Sequence, residues 1–173
     1  GAGFFAEGAD HILFMNNSTY DTYSSGIGVW NCKKTIIQDN IIELACNLGS
    51  QECLTVGGCD SILVKGNEVF NRWVETMGGE GICIKDGSRN IIISENLVHD
   101  LIKLGIYTDA WDKHTYNLTV SNNIVYNCNN GISLASEMGG LLENVMLYNN
   151  ILFNNKFLGI DISNNGDDTT VKI

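Results

Sequence analysis

Carboxyl and aromatic side chains concentrate in two polar stretches of this chain. Residues 109–116 carry two aspartates, a tryptophan and a histidine, and residues 136–140 carry Glu137. A pair of carboxyl groups at a suitable separation can protonate a glycosidic oxygen and activate its attacker. Asp109, Asp112 and Glu137 are therefore candidate acid and base groups, and the Trp111 ring is a candidate surface for a sugar.

Other side chains extend this candidate site. A lysine such as Lys85 can act as the base of a β-eliminating lyase. Its neighbours Asp86 and Asp109 favour the charged form, so an ordinary ion pair is the alternative. His114 is a proton-transfer candidate because imidazole titrates near neutral pH. The candidate substrate-binding residues are Trp111, Tyr107, Trp73, His99 and Asp86.

Calcium is a candidate ligand of the same carboxylates. Oxygen ligands suit this cation, so Asp109 and Asp112 are its candidate ligands. A lyase acting on uronates needs a cation or basic groups, and Arg72 and Arg89 are the only arginines of the chain. The alternative for all these carboxylates is that they are solvated loop residues.

Composition restricts the partners. Ten Lys and Arg against twenty Asp and Glu give a formal charge of −10 over 173 residues. This sign disfavours nucleic acid and anionic membrane surfaces. The chain has no apolar run of the length that membrane insertion needs, and its size fits one domain.

The candidate residues lie within a repeat that returns along the whole chain. The full phrase is Gly-Ile-x-Ile, a loop, an apolar triplet, two residues and an asparagine, and the copy at residues 53–56 lacks the glycine. Alternating apolar and polar residues rich in Ile and Val predict strands. The leucine-rich repeat, the nearest competitor, needs a consensus and a helical limb that are missing here. The recurring asparagines are Asn17, Asn40, Asn67, Asn96, Asn123 and Asn150.

This phrase resembles the repeat of right-handed parallel β-helix proteins, the pectate-lyase-like group that includes carbohydrate-binding and sugar-hydrolase repeat proteins. The resemblance implies an all-β solenoid of about six to seven coils, with strands stacked about 4.8 Å apart. It also implies a substrate groove along the first sheet, which the Gly-Ile-x-Ile strands form. The group contains lyases, hydrolases and adhesins without catalysis, so the fold leaves the reaction open.

The repeat makes specific predictions about side-chain positions. Residues at the two apolar positions of Gly-Ile-x-Ile should stack inward as the core. Each asparagine should take the left-handed backbone conformation and hydrogen-bond its counterparts in adjacent coils. Cys32 and Cys59 occupy the same position in adjacent repeats. The spacing between adjacent coils allows a disulfide there, but we favour reduced thiols stacked one above the other.

We expect one β-helix domain over residues 1–173 that is part of a longer β-helix. The sequence shows no cap, so end-to-end self-association or additional flanking coils are expected partners. The leading functional prediction is a carbohydrate-active protein, extracellular or periplasmic, that binds a polysaccharide or oligosaccharide along its first sheet and, if it is an enzyme, acts as a hydrolase or lyase. The alternative is a non-catalytic solenoid that serves adhesion or assembly.

Overall fold

Each sequence repeat forms one coil of three short strands in the computed structural model, which describes residues 1–164 and 171–172. The strands, numbered β1 to β20 in chain order, form three sheets in which all pairings are parallel. The first sheet contains β1 (Phe4–Glu7), β4 (Ile27–Trp30), β7 (Leu54–Gly57), β10 (Ile82–Lys85), β13 (Ile106–Asp109), β16 (Asn130–Ser136) and β19 (Leu158–Asn164).

The other two sheets complete the coils. The second contains β2 (Leu13–Met15), β5 (Lys33–Gln38), β8 (Asp60–Lys65), β11 (Arg89–Ser94), β14 (His114–Ser121), β17 (Leu141–Tyr148) and β20 (Val171–Lys172). The third contains β3 (Ser18–Tyr20), β6 (Ile41–Glu43), β9 (Glu68–Phe70), β12 (Leu97–His99), β15 (Ile124–Tyr126) and β18 (Ile151–Phe153). The predicted all-β parallel solenoid is confirmed, and the described strands make six complete coils plus β19 and β20.

The core is a set of stacked columns of inward side chains, as the repeat predicts. Ile82 and Ile106 are register partners in β10 and β13, and both are fully buried. The column continues through Ile132 to Ile160, which is 47% exposed. Among the described strands, β19 pairs in the first sheet only with β16, so its inward side chains are covered from one side.

The asparagine ladder is present, and its asparagines form hydrogen bonds through both the nitrogen and the oxygen of the side-chain amide. Asn96 Nδ2 donates to Asn123 Oδ1 at 2.9 Å and to the Val64 carbonyl oxygen at 3.0 Å. Asn96 Oδ1 accepts hydrogen bonds from both the backbone N–H and the side-chain amide of Asn67. The ladder therefore satisfies buried backbone groups at the turn between the second and third sheets.

The predicted left-handed conformation of the ladder asparagines was wrong. The positive φ angle belongs to the residue before each asparagine, for example 58° at Glu95 and 58° at Asn122. The turn needs one left-handed residue, and the asparagine after it points inward, where its amide reaches the neighbouring coil. The preceding left-handed residues are Asn16, Asp39, Gly66, Glu95, Asn122 and Asn149.

The cysteines are buried free thiols throughout the described residues. The backbone N–H of Cys32 donates to Cys59 Sγ at 3.4 Å, so the two residues occupy adjacent coils as predicted. Burial raises the pKa of the Cys59 thiol to about 11, which keeps it protonated and unreactive. No helix in the described part of the chain is long and apolar enough to cross a membrane.

Candidate active site

A polar cleft of about 340 Å³ lies on the outward face of the first sheet. Strands β10 and β13 form its floor, where Lys85 is the register partner of Asp109. Strand alternation places these side chains outward, because their neighbours Ile84 and Thr108 point into the core. The lining residues are Ser50, Glu52, Glu80, Lys85, Asp86, Tyr107, Asp109, Trp111 and Glu137.

Asp109 is the most buried carboxyl of the cleft, with 3% of its surface exposed. Its Oδ1 accepts hydrogen bonds from the backbone N–H groups of Trp111, at 2.8 Å, and Glu137, at 3.3 Å. Its Oδ2 accepts no hydrogen bond from any described residue. The side chain is thus fixed through one of its two oxygens.

Burial raises the pKa of Asp109. The two backbone hydrogen bonds act in the opposite direction, but burial and the nearby charges of Glu137 and Asp86 outweigh them. The neutral acid therefore persists to a higher pH than in an ordinary aspartate. A buried carboxyl of this kind at a cleft is typical of a proton donor.

Two loops hold Asp109 in this position, and backbone hydrogen bonds join them. The Trp111 carbonyl oxygen accepts from Gly140 N at 2.7 Å and from Met138 N at 3.2 Å, and Ala110 N donates to the Ala135 carbonyl oxygen. Trp111 itself has a φ angle of 53°. This left-handed turn brings its N–H back to the Asp109 carboxylate, and 42% of the residue surface remains exposed.

Glu137 extends from the next coil toward the same cleft. Its Oε1 accepts a hydrogen bond from the Tyr107 hydroxyl group. Burial raises the pKa of Tyr107, and the hydrogen bond to Glu137 raises it further, so the phenol stays protonated as a donor. Glu137 is therefore a positioned hydrogen-bond acceptor one coil away from Asp109.

Lys85 forms an ion pair with Glu52, with Nζ 2.8 Å from Oε1. Thr55 Oγ1 donates to the other Glu52 oxygen at 2.8 Å, which fixes the carboxylate. Burial lowers the pKa of Lys85, but the Glu52 charge and its hydrogen bond outweigh this, so the net pKa is raised. The lysine is thus a charged group whose charge is already balanced.

The indole ring of Trp30 packs beside the ammonium group of Lys85, with Nζ 5.3 Å from its ring centroid. The indole lies over Gly57, the register partner of Trp30 in the next coil. A Cβ atom at residue 57 would be 2.4 Å from the ring carbons Cε3 and Cζ3 of Trp30. Only glycine at position 57 leaves space for this indole.

Six of the predicted site residues therefore come together in the cleft. They are Asp109, Glu137, Lys85, Tyr107, Trp111 and Asp86.

The remaining four predicted site residues lie elsewhere. Asp112 is exposed in the loop and does not line the cleft. His114 begins β14 in the second sheet, and its Nε2 is 2.7 Å from Glu143 Oε1. His99 lies on the third sheet between the rings of Phe70 and Tyr126, with centroids 4.9 and 5.0 Å away.

Trp73, the fourth, lies in the turn after β9, where its backbone N–H donates to the Asp100 carbonyl oxygen. The chain passes from the first to the third sheet within each coil, so residues close in sequence emerge on different faces. This geometry separates Trp73 and His99 from the Asp109 cleft.

Glu52 and Glu80 also line the cleft, although neither is among the predicted site residues. Each stands two residues before the first inward position of its strand, at Leu54 and Ile82. Both carboxyls therefore occupy the same position in consecutive coils, and this shared position is the sequence signal that identifies them. Burial raises the pKa of Glu80, and the charge of Glu52 adds to the shift.

The described residues contain no cluster of three or more His, Cys, Asp or Glu side chains arranged to hold a metal ion. Of the two predicted calcium ligands, Asp109 lines the cleft and Asp112 is exposed and does not line it.

A larger groove of about 570 Å³ runs along the outward face of the second sheet. Its lining combines asparagines with apolar residues such as Ile92 and Met146 and contains no titratable side chain. Of these two cavities, the smaller cleft on the first sheet is the one lined by groups suited to proton transfer.

Comparison with known proteins gives one match. The family described as "Right handed beta helix region" matches residues 2–172. No curated protein and no solved structure matches the chain.

Proposed function

The chain belongs to the right-handed β-helix family, and from that premise we propose that it binds a polysaccharide along its first sheet and hydrolyses it. The observation that carries this proposal is Asp109, a buried carboxyl that lines a cleft and has one oxygen fixed by peptide N–H groups. Such a group suits protonation of a leaving glycosidic oxygen.

In the proposed reaction Asp109 is the general acid, and its proton passes to the glycosidic oxygen as the bond to the sugar breaks. Glu137 is the second carboxyl, held by the Tyr107 hydroxyl group on the neighbouring coil. Glu137 accepts a proton from a water molecule whose oxygen bonds to the sugar carbon, and proton exchange with solvent then restores both carboxyl groups. The exposed Trp111 ring at the cleft supplies an aromatic surface for a sugar face.

Hydrolysis is better supported than β-elimination. A lyase needs a basic group to abstract a proton from carbon, and the candidates in the cleft are Lys85 and Tyr107. Both have raised pKa values, and Lys85 is paired with Glu52. Groups that hold their protons this firmly are poor bases near neutral pH. A polymeric sugar substrate also fits an extracellular or periplasmic setting, which we propose for the domain.

The test compares the wild type with Asp109→Asn on a panel of polysaccharides, with and without calcium. Reducing-end release reports hydrolysis, and absorbance of unsaturated products reports elimination. We expect Asp109→Asn to reduce reducing-end release by at least about a hundredfold, the lower range for loss of a general acid. Asp112→Asn, an exposed aspartate three positions away, is the matched control and should retain activity.

Equal activity of Asp109→Asn and the wild type would contradict the proposal. Saccharide binding without any turnover would instead favour the non-catalytic solenoid. Unsaturated products would replace the hydrolase with a lyase.

A further inference from the structure

Two aromatic side chains lie on the outward face of the first sheet, beyond the residues that line the cleft. Phe5 on β1 is 58% exposed, and the half-buried Trp30 is the last residue of β4. Strand alternation turns both side chains outward, because their neighbours Ala6 and Val29 pack in the core. The proposed hydrolysis uses neither ring.

A glycine in the next coil provides the space that each ring occupies. Gly28 is the register partner of Phe5, and Gly57 is the register partner of Trp30. A Cβ atom at residue 57 would be 2.4 Å from two ring carbons of Trp30, and one at residue 28 would be 3.6 Å from Cδ2 of Phe5. A glycine inside a strand is typical of a close approach by another group. Both rings therefore lean along the sheet in the direction of the cleft.

The outward positions run without interruption from Trp30 into the cleft. Gly57 pairs with Trp30 on one side and with Lys85 on the other, and Lys85 pairs in turn with Asp109. Neighbouring strands are about 4.8 Å apart, so the backbone of Trp30 lies about 14 Å from that of Asp109 along the coil axis. Lys85 lines the cleft, and its Nζ is 5.3 Å from the Trp30 ring centroid. The indole is thus adjacent to one end of the cleft.

Resting on the proposed function, we propose that Phe5 and Trp30 form an aromatic platform that binds further sugar rings of the saccharide held in the cleft. The protein would then select long chains over short ones. Aromatic rings bind the apolar face of a sugar without needing a charge. The other outward residues of β4 and β7 are Gly28, Thr55 and Gly57, all uncharged and small. This surface suits uncharged sugar rings, whereas the acidic groups lie farther along, at Asp109.

The experiment measures how affinity depends on chain length. Calorimetry on the Asp109→Asn protein uses dimers, tetramers and octamers of gluco-, xylo-, manno- and galacturono-oligosaccharides, together with oligomers of any polysaccharide that the panel shows to be cleaved. A dimer beside Asp109 is too short to reach Trp30, whereas an octamer spans the distance. We expect the octamer to bind more tightly than the dimer. Adding Trp30→Ala should weaken octamer binding about tenfold and leave the affinity for the dimer as it is.

Further variants separate loss of the platform from loss of the fold. Trp30→Phe keeps an aromatic face and should retain most of the preference for the octamer. Gly57→Ala keeps the indole but displaces it, because the new Cβ would overlap the ring, and should weaken octamer binding. Trp73→Ala is the matched control: this tryptophan is 44% exposed in the turn after β9, away from the cleft, and its loss should not change octamer binding. Circular dichroism checks that each variant is folded.

Each outcome decides between the two levels of the proposal. An octamer that binds no more tightly than the dimer overturns the platform and leaves the carbohydrate function standing. The same holds if Trp30→Ala leaves octamer binding unchanged, or weakens dimer and octamer binding equally. Failure of every oligomer to bind, together with no turnover on the polysaccharide panel, overturns both.

Discussion

Asp109 is held by peptide N–H groups and not by a cationic side chain. The type of hydrogen-bond partner affects the pKa of Asp109. An arginine or lysine partner would stabilise the carboxylate and lower its pKa, whereas two backbone donors position the group without adding a full positive charge. Burial and neighbouring carboxylates then prevail, and the pKa of Asp109 is raised.

This raised pKa predicts a pH dependence of stability. The folded protein keeps the Asp109 proton to a higher pH than the unfolded chain, whose aspartates have a pKa of about 3.9. The stabilising contribution is full below that value and is lost as pH rises through the raised folded-state pKa. We expect Asp109→Asn to lose less stability than the wild type as pH rises through this window, as measured by urea unfolding.

Asp60 provides a control of opposite sign. The hydrogen bond from Asn90 lowers its pKa, with the nearby Arg89 adding to the shift. Its stabilising contribution is present above the unfolded-state pKa and is lost as pH falls through the lowered folded-state value. Asp60→Asn should therefore flatten the acid side of the profile, and a shared response of both variants would contradict the assignment.

At the scale of the elements, the asparagine ladder links the turns of adjacent coils. Asn96 makes hydrogen bonds through both amide atoms and satisfies the Val64 carbonyl and the Asn67 N–H. Replacing it with alanine leaves these buried groups without partners. We expect Asn96→Ala to reduce the free energy of unfolding by about 2–4 kcal/mol, measured by chemical denaturation.

Asn117 is the matched control for the ladder. It is an exposed asparagine with a φ angle of 57°, and it donates to Asn90 Oδ1 at 3.0 Å on the outward face of the second sheet. Glycine keeps the left-handed backbone there, so Asn117→Gly should cost less than about 1 kcal/mol. If Asn117→Gly reduced the free energy of unfolding as much as Asn96→Ala does, burial would not explain the contribution of the ladder to stability.

The sequence predicts the strands and their register well because the repeat records them directly. Inward positions such as Ile82 and Ile106 recur in phase, and alternation then places Lys85 beside Asp109 on the outer face. The left-handed residue of the turn was misassigned because residue type alone does not distinguish neighbours: Glu95 takes that conformation although asparagine favours it more.

The cleft was less predictable because loops, not strands, complete it. The ladder spacing varies between 23 and 29 residues, and this variation lies in segments without the repeat pattern. Nothing in the repeat indicates that the loop carrying Trp111 returns its N–H to Asp109, or that Glu52 pairs with Lys85. These contacts depend on three-dimensional loop paths.

For the molecule as a whole, the last described coil exposes core positions. Ile160 and Ile162 are 47% and 53% exposed on β19, a strand that pairs in its sheet only with β16 among those described. An apolar strand edge of this kind favours addition of another coil. We expect concentration-dependent association in sedimentation velocity, reduced by Ile160→Lys.

Ile92 supplies the comparison for that variant. It is also 47% exposed but lies on the outward face of β11, a central strand paired on both sides. Ile92→Lys should leave association unchanged. A protein that stays monomeric at every concentration would contradict end-to-end stacking.

The asparagine ladder also has a mechanical consequence. Each coil bonds only to its two neighbours, and successive ladder residues at 96, 123 and 150 are 27 residues apart. Under a pulling force on the end of the chain that carries β19, coils should detach one after another from that end. Each detachment would release roughly 80 to 100 Å of extended chain, so the domain would lengthen in steps of similar size. The hydrogen bonds that fix the register would thus break coil by coil, and the solenoid would unfold in separate rupture events at similar forces.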